Sequence, residues 1–259
     1  MTSSRSRATA PALDLPPPFH LVTLREWGDA FAHAMAIAAA EGAATLVHVG
    51  RFDLAEFAVV LEPAERLSTA RRAIYVGLCA LGDALTAHAP PEKLISFGWP
   101  DAILVDGGVI GGVRLGWPEG VDDGEPAPWL VVGGMVRIAA CDGLEAGQRP
   151  LTTSLEDEGF DDLGPGRLVE GFARQLMAAV DAYQEKGFGH STKRCLTRLV
   201  PDKDVRRDIA ENGDLLMRVA GVHQGERRSL LSALATPSWL YPVTQGPRMH
   251  GKFLQPETV

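Results

Sequence analysis

The stretch FGWPDAILVDGGVIGGVRLG, residues 97–116, decides the fold of this chain. Short apolar runs in and beside it are separated by two turn signals, Trp-Pro-Asp at 99–101 and Asp-Gly-Gly at 106–108. An Asp-Gly step between two alternating apolar runs is a strong signal for a β-hairpin. Three consecutive short strands are therefore predicted, over 94–97, 102–105 and 109–115.

The same pattern continues on both sides of this stretch. After an acidic, proline-rich loop, the run WLVVGGMVRIA at 129–139 predicts another strand, with Gly133 and Gly134 in its middle. Glycines inside a strand often mark the close approach of a ligand or of a neighbouring backbone. Two more strands are predicted upstream, at 44–49 and 55–61.

Apolar residues at helical spacing predict three helices, at 27–40, 65–88 and 168–186. Asp29 lies in the first turn of the first helix, where a carboxylate is favoured, and Gly42 is placed to end it. Near the C-terminus, an Asn-Gly-Asp turn at 212–214 lies between two apolar runs. The predicted organisation is a disordered leader at 1–18, a main domain at 19–189, and a small β-rich domain with a tail at 190–259.

Composition and charge exclude several classes of protein. The 259 residues carry a formal net charge of −8, which disfavours general attraction to nucleic acid, because such binding depends on Lys and Arg displacing counterions. No apolar run approaches the length of a membrane span, and no secretory signal is evident. The 3 cysteines are widely spaced and predict neither a disulfide framework nor a zinc site. A cytoplasmic protein without a bound metal is expected.

The order of these elements resembles the biotin and lipoate protein ligase family. The segment at 97–116 is similar to the family's K-W-P-N-D strand-turn-strand region, and 129–139 is similar to its following glycine-containing strand. The resemblance covers roughly residues 19–140 and extends weakly to the C-terminal region. It implies an α+β fold like that of class II synthetases, in which helices lie on one side of a mixed sheet, followed by a small β-rich appendage.

The family's activity follows from the same resemblance. Its members make an acyl-adenylate from ATP and pass the acyl group to a lysine of a carrier protein. The resemblance implies ATP with Mg²⁺ as co-substrate, biotin, lipoate or octanoate as candidate ligand, and no intrinsic cofactor. It also implies a biotinyl or lipoyl carrier domain as partner, and a homodimer is a further expectation without residue-level support.

Two lysines of the family pattern are missing from this chain. Gly98 stands where the first is expected, and Val109 stands where the second is expected when the sequences are aligned on Gly111-Gly112. Adenylation brings a carboxylate to a phosphate, so the site needs positive charge. Arg51 and Arg114 are the remaining candidates, although simple strand alternation places Arg114 away from Val109 unless a bulge intervenes.

The predicted site combines motif residues with these substitutes. Catalytic roles are predicted for Arg51, Asp101 and Arg114. Asp101 is a candidate Mg²⁺ ligand, and the alternative is that it caps a turn. Ligand-binding roles are predicted for His48, Trp99, Gly111, Gly112, Val113, Gly133 and Gly134. Two functions stay open: a ligase whose arginines replace the lysines, and a catalytically degenerate member that binds a ligand or a carrier protein.

Overall fold

The structure is a computed structural model and describes residues 13–25, 28–141, 151–219, 221–222, 225–241 and 246–247. Its helices are α1 (Ala30–Glu41), α2 (Leu67–Ala70), α3 (Ala73–Thr86), α4 (Pro165–Lys186), α5 (Phe188–Arg198) and α6 (Leu230–Leu234). Its strands are β1 (His20–Leu24), β2 (Thr45–Val49), β3 (Leu54–Leu61), β4 (Ile95–Gly98), β5 (Ala102–Val105), β6 (Gly108–Gly116), β7 (Leu130–Arg137), β8 (Val205–Ile209), β9 (Leu215–Val219), β10 (Glu226–Arg228), β11 (Leu240–Tyr241) and β12 (Gly246–Pro247).

A seven-stranded sheet with the order β1-β2-β3-β7-β6-β5-β4 forms the centre of the protein. Strands β1 and β2 are parallel, whereas the other neighbouring strands are antiparallel. The predicted mixed sheet is therefore confirmed, including the hairpin strands of residues 94–116. Strands β2 to β7 are buried on both faces, which explains why they read as nearly continuous apolar runs, whereas the edge strand β1 is largely exposed.

The two faces of the sheet pack against different elements. The larger core lies between one face and helices α3 and α4, where the rings of Phe57 and Phe172 are 4.5 Å apart. Helix α1 covers part of the other face through Ala30, Ala34 and Ala38, which are almost fully buried. This one helix departs from the expectation of helices on a single side, because its row of alanines lets it approach the sheet closely.

The N-terminal cap and the end of α1 agree with the sequence. The side chain of Asp29 accepts a hydrogen bond from the Ala32 N–H at 2.9 Å, and Gly42 ends the helix with a positive φ of 76°. The predicted helix over 65–88 is instead two helices, α2 and α3. The break falls at Arg71 and Arg72, whose buried side chains pair with Asp123 and Glu65.

The C-terminal region is less β-rich than predicted. Helix α5 occupies residues 188–198, where the appendage was expected to begin, and it packs against α3 and α4. Its buried residues Ser191, Thr192 and Cys195 lie on one side, so the basic residues between them remain at the surface. The main body therefore continues to the end of α5. Two small sheets follow, β8-β9-β10 and β11-β12.

Part of the expected disordered leader is packed on the protein. Leu13 and Leu15 contact the main core, and the Asp14 N–H donates a hydrogen bond of 2.9 Å to Glu170 on α4. The proline-rich composition of this segment favoured the prediction of disorder, although two of its leucines pack against the core. Residues 1–12 lie outside the described residues.

Close approach between β6 and β7 makes Gly111 sensitive to substitution. A Cβ atom at this position would lie 1.9 Å from the Met135 carbonyl oxygen, so Gly111→Ala must separate two central strands. We expect it to lower the free energy of unfolding by about 3 kcal/mol, the upper end of ordinary overpacking costs. Urea unfolding followed by circular dichroism measures this.

Gly189→Ala is the matched control, because a Cβ atom on Gly189 meets nothing within 4 Å and the residue lies in α5. Alanine is the better helix former, so this variant should be as stable as the wild type or more so. Equal stability of the two variants would contradict the packing described for Gly111.

Candidate functional site

A bulge in β6 decides which of its side chains share a face. Ile103 of β5 pairs with Gly111, but the next residue, Leu104, pairs with Val109, so Ile110 is the extra residue. After this irregularity Arg114 lies on the same face as Val109 and Gly112. The sequence left open whether a bulge occurs in this strand, and the structure contains one.

We call this the glycine face, defined by Gly112 and Gly116 of β6 and Gly133 of β7. Val113 does not belong to it, because its side chain packs into the main core behind the sheet. Gly134 also belongs to the opposite face, since a Cβ atom there would lie 2.4 Å from the ring of Phe57. The predicted glycine pair therefore serves both faces of β7.

The indole of Trp239 covers Gly112. A Cβ atom at Gly112 would lie 2.3 Å from Trp239 Nε1 and 2.2 Å from the Asp101 carbonyl oxygen. Trp239 is fully buried, and its Nε1–H donates a hydrogen bond of 3.0 Å to the Val113 carbonyl oxygen. The space left by the missing side chain of Gly112 is thus filled by the protein's own indole.

Helix α1 covers the other glycines of this face. A Cβ atom on Gly133 would lie 2.6 Å from the ring of Phe31, and one on Gly116 would lie 2.4 Å from Met35 Sδ. Phe31 also stacks beneath Arg114, whose guanidinium carbon is 4.5 Å from the ring centroid. The glycine face is therefore covered from two directions, by α1 and by the segment around Trp239.

Asp101 fixes the C-terminal segment rather than facing an open site. Its side chain is almost fully buried, and its carboxylate accepts hydrogen bonds from the Ser238 N–H at 3.0 Å and the Ser238 Oγ–H at 2.5 Å. Burial raises the pKa of Asp101 to about 7, although both hydrogen bonds from Ser238 oppose the shift. The carboxylate therefore binds a segment distant in the sequence and does not cap its own turn.

Arg114 is held by an ion pair on the glycine face. Its Nη2 lies 2.9 Å from Asp29 Oδ1, the same oxygen that caps α1. Beside this pair, the buried Glu56 accepts a hydrogen bond of 2.9 Å from the Ala30 N–H. Burial raises the pKa of Glu56, the nearby Asp29 raises it further, and Arg114 and Arg51 lower it. Glu56 was missed by sequence reasoning, although it is the one charged residue in an otherwise apolar strand.

The remaining predicted residues are spread around the sheet. Arg51 binds Asp53 at 2.6 Å in the β2–β3 turn. His48 lies on the same face of β2 as Leu46, so its side chain is on the side of the sheet that packs against the main core. Its Nδ1 has no hydrogen-bond partner among the described residues. Burial lowers the pKa of His48. Trp99 donates a hydrogen bond of 2.8 Å to the hydroxyl of Tyr75 on α3, away from the glycine face.

The fold and the sequence together identify the family. The sequence profile of the biotin/lipoate A/B protein ligase family matches residues 15–196, which is most of the chain. The chain belongs to this family. No curated protein matches it in sequence.

Solved structures of biotin protein ligases share the fold. A biotin protein ligase-like protein of unknown function from Silicibacter sp. TM1040 is 23% identical, with a TM-score of 0.75 over 87% of this chain and 100% of that one. The apo biotin protein ligase of Aquifex aeolicus is 13% identical, with a TM-score of 0.65 over 81% of this chain and 96% of that one. The same ligase with biotin and ATP gives a TM-score of 0.59 at 13% identity, over 81% of this chain and 99% of that one.

Both residues that the resemblance aligns with family lysines, Val109 and Gly98, are buried. Val109 points to the glycine face and is buried in a small apolar cluster with Leu104, Met135 and Trp239. Gly98 is buried at the end of β4. Neither β6 nor β7 contains a lysine. The biotin/lipoate ligase fold thus has an apolar, covered surface around Val109 in this chain.

The residues as arranged do not fit ATP with Mg²⁺. The Asp101 carboxylate faces Ser238, and both substitute arginines are paired with aspartates. Within the described ranges no three His, Cys, Asp or Glu side chains are grouped as they would be around a metal ion. Two open surface depressions, of about 300 and 360 Å³, are lined by none of the predicted site residues.

None of the described helices has the length and apolar character needed to cross a membrane.

The raised pKa of Asp101 predicts a pH dependence of stability. Because the native carboxyl binds its proton more tightly than the unfolded chain does, its contribution to the free energy of unfolding falls as pH rises from about 4 to about 7. Asp101→Asn removes the titration. We expect the difference in stability between wild type and Asp101→Asn to fall over this range, by up to about 1.4 kcal/mol per pH unit.

Urea unfolding of both proteins at several pH values measures this difference, and titrations common to the two proteins cancel in it. Parallel stability profiles would show that Asp101 titrates in the native protein as it does in the unfolded chain.

Proposed function

We propose that this protein is a catalytically degenerate member of the biotin/lipoate ligase family, which binds a carboxylic acyl group or its adenylate without forming the adenylate. One observation carries the proposal: each of the three side chains predicted to replace the missing family cations or to hold Mg²⁺ already has an intramolecular partner. Arg51 pairs with Asp53, Arg114 pairs with Asp29, and Asp101 accepts two hydrogen bonds from Ser238.

The transition state of adenylation carries negative charge from both reactants. Attack of a carboxylate on the α-phosphate of ATP brings two anions together, and catalysis requires preorganised positive charge at the point of attack. A guanidinium already neutralised by an aspartate supplies little of this charge. The buried carboxyl of Glu56 and the side chain of Asp29 would also oppose a second anion on this face.

The choice of ligands rests on the family and on its solved relatives. The Aquifex ligase has been seen with biotin and with ATP, which places biotin first among the acids to test, ahead of lipoate and octanoate. A biotinyl or lipoyl carrier domain is the corresponding protein partner. The three cysteines are free thiols, which supports a reducing, cytoplasmic location.

Pyrophosphate exchange tests the loss of adenylation. With ATP, Mg²⁺ and saturating biotin, lipoate or octanoate, we expect no exchange above a protein-free control, because the charge needed for the transition state is absent. Isothermal calorimetry with a non-hydrolysable acyl-adenylate should nevertheless show saturable binding. A biotin protein ligase of established activity serves as the positive control, and exchange with any of the three acids would refute the proposal.

A second function is favoured by the bulge in β6. It turns Arg114 onto the glycine face, where a relocated cation would be useful to a ligase. If Arg114 acts as this cation, the wild type shows pyrophosphate exchange. The exchange is then lost in Arg114→Ala and partly kept in Arg114→Lys. Arg174→Ala is the matched control, since Arg174 is an exposed arginine on α4 behind the sheet. Equal exchange in all four proteins would exclude Arg114 as the relocated cation.

A further inference from the structure

We propose that residues Ser238–Tyr241 form a C-terminal plug that occupies the ligand-binding part of the glycine face and must leave it before a ligand can bind. The inference rests on the proposed function, because it assigns a means of control to the same site.

The plug occupies the place that a flat ligand would take. Trp239 lies where Gly112 has no side chain, and its indole N–H is bonded to the Val113 carbonyl oxygen in the middle of a central strand. A fully buried aromatic ring lying against strand backbone, with one directional hydrogen bond, has the features of a bound small molecule. The face is therefore preformed for such a group.

The Asp101 carboxylate fixes the start of the plug to the sheet. Asp101 receives both the backbone N–H and the hydroxyl of Ser238, the residue before Trp239. The backbone of Asp101 is itself anchored, because its carbonyl oxygen accepts a hydrogen bond of 2.8 Å from the Val113 N–H. Asp101 and Val113 thus hold Ser238 and Trp239, the first two residues of the plug, through polar contacts.

The plug can separate without opening the main core. Trp239 and Leu240 belong to a small apolar cluster with Leu54, Ala102, Leu104, Val109 and Met135, which is distinct from the core behind the sheet. Its strand β11 has two residues and pairs only with the equally short β12 among the described strands. By contrast, α1 covers its part of the face with three nearly fully buried alanines and remains in place.

Departure of the plug would expose a surface suited to an acyl group. The floor is apolar, formed by the cluster residues of β3, β5, β6 and β7. Two acceptors become available at its margin, the Val113 carbonyl oxygen and the Asp101 carboxylate. A ligand must compete with the plug for these contacts, so the plug lowers its apparent affinity by the fraction of molecules that are open.

Binding of non-hydrolysable sulfamoyl analogues of biotinyl-, lipoyl- and octanoyl-adenylate tests the proposal. Calorimetry should show that Trp239→Ala binds at least one of the three tenfold or more tightly than the wild type does. Trp129→Ala is the matched control, because Trp129 lies on the same sheet face but packs with α1; its affinity should equal that of the wild type. Circular dichroism checks that each variant is folded.

Ser238→Ala provides a milder variant that keeps the indole. It removes one of the two hydrogen bonds to Asp101, so affinity should rise severalfold while the fold is retained. Hydrogen exchange of the full-length wild type gives an independent readout: the amides of 238–241 should be protected without ligand, and the analogue that binds should increase their exchange.

The outcomes separate this inference from the proposed function. Equal affinity in wild type, Trp239→Ala and Ser238→Ala, with the plug still protected in the complex, would overturn the plug and leave the binding function intact. Absence of binding to any folded variant, including Trp239→Ala, would overturn both.

Discussion

The missing side chain at Gly112 is the constraint on which the site depends. Only a residue without a Cβ atom lets the Asp101 backbone and the Trp239 indole approach β6 at the same point. The bulge beside it then sets the direction of every later side chain on the strand, including Arg114. One backbone irregularity and one glycine therefore decide what the protein presents on this face of the sheet.

Charge is distributed on this face according to what burial permits. A buried or half-buried ion is costly unless it has a partner, and Arg114 and Asp29 meet that requirement for each other while Asp29 also caps α1. Asp101 is not ion-paired in this way, because the groups that contact its buried carboxyl are the hydrogen-bond donors of Ser238. Burial therefore raises the pKa of Asp101. A protein with these internal pairings can keep the ligase fold without keeping the charges of a ligase site.

The family relationship and the loss of its lysines concern different levels of structure. The fold needs apolar strands, turns and glycines in a given order, and residues 97–139 retain all of these. Adenylation needs a few charged side chains at particular positions, and the resemblance to the family aligns Gly98 and Val109 with two of these positions. Because Val109 now contributes to an apolar cluster, its replacement is compatible with the stability of the sheet.

The sequence by itself determined the central-sheet strands β2 to β7, helices α1 and α4, the cap and end of α1, and the membership of a family, because apolar periodicity and turn residues act locally along the chain. It did not determine that His48 and Trp99 lie away from the glycine face, since strand direction and cross-sheet contacts decide which way a side chain points. Nor did it indicate Trp239 or Ser238, which are more than 100 residues from the glycines and acids that they contact. Such contacts depend on the path of the chain after α5, and only the tertiary structure brings that segment back to β6.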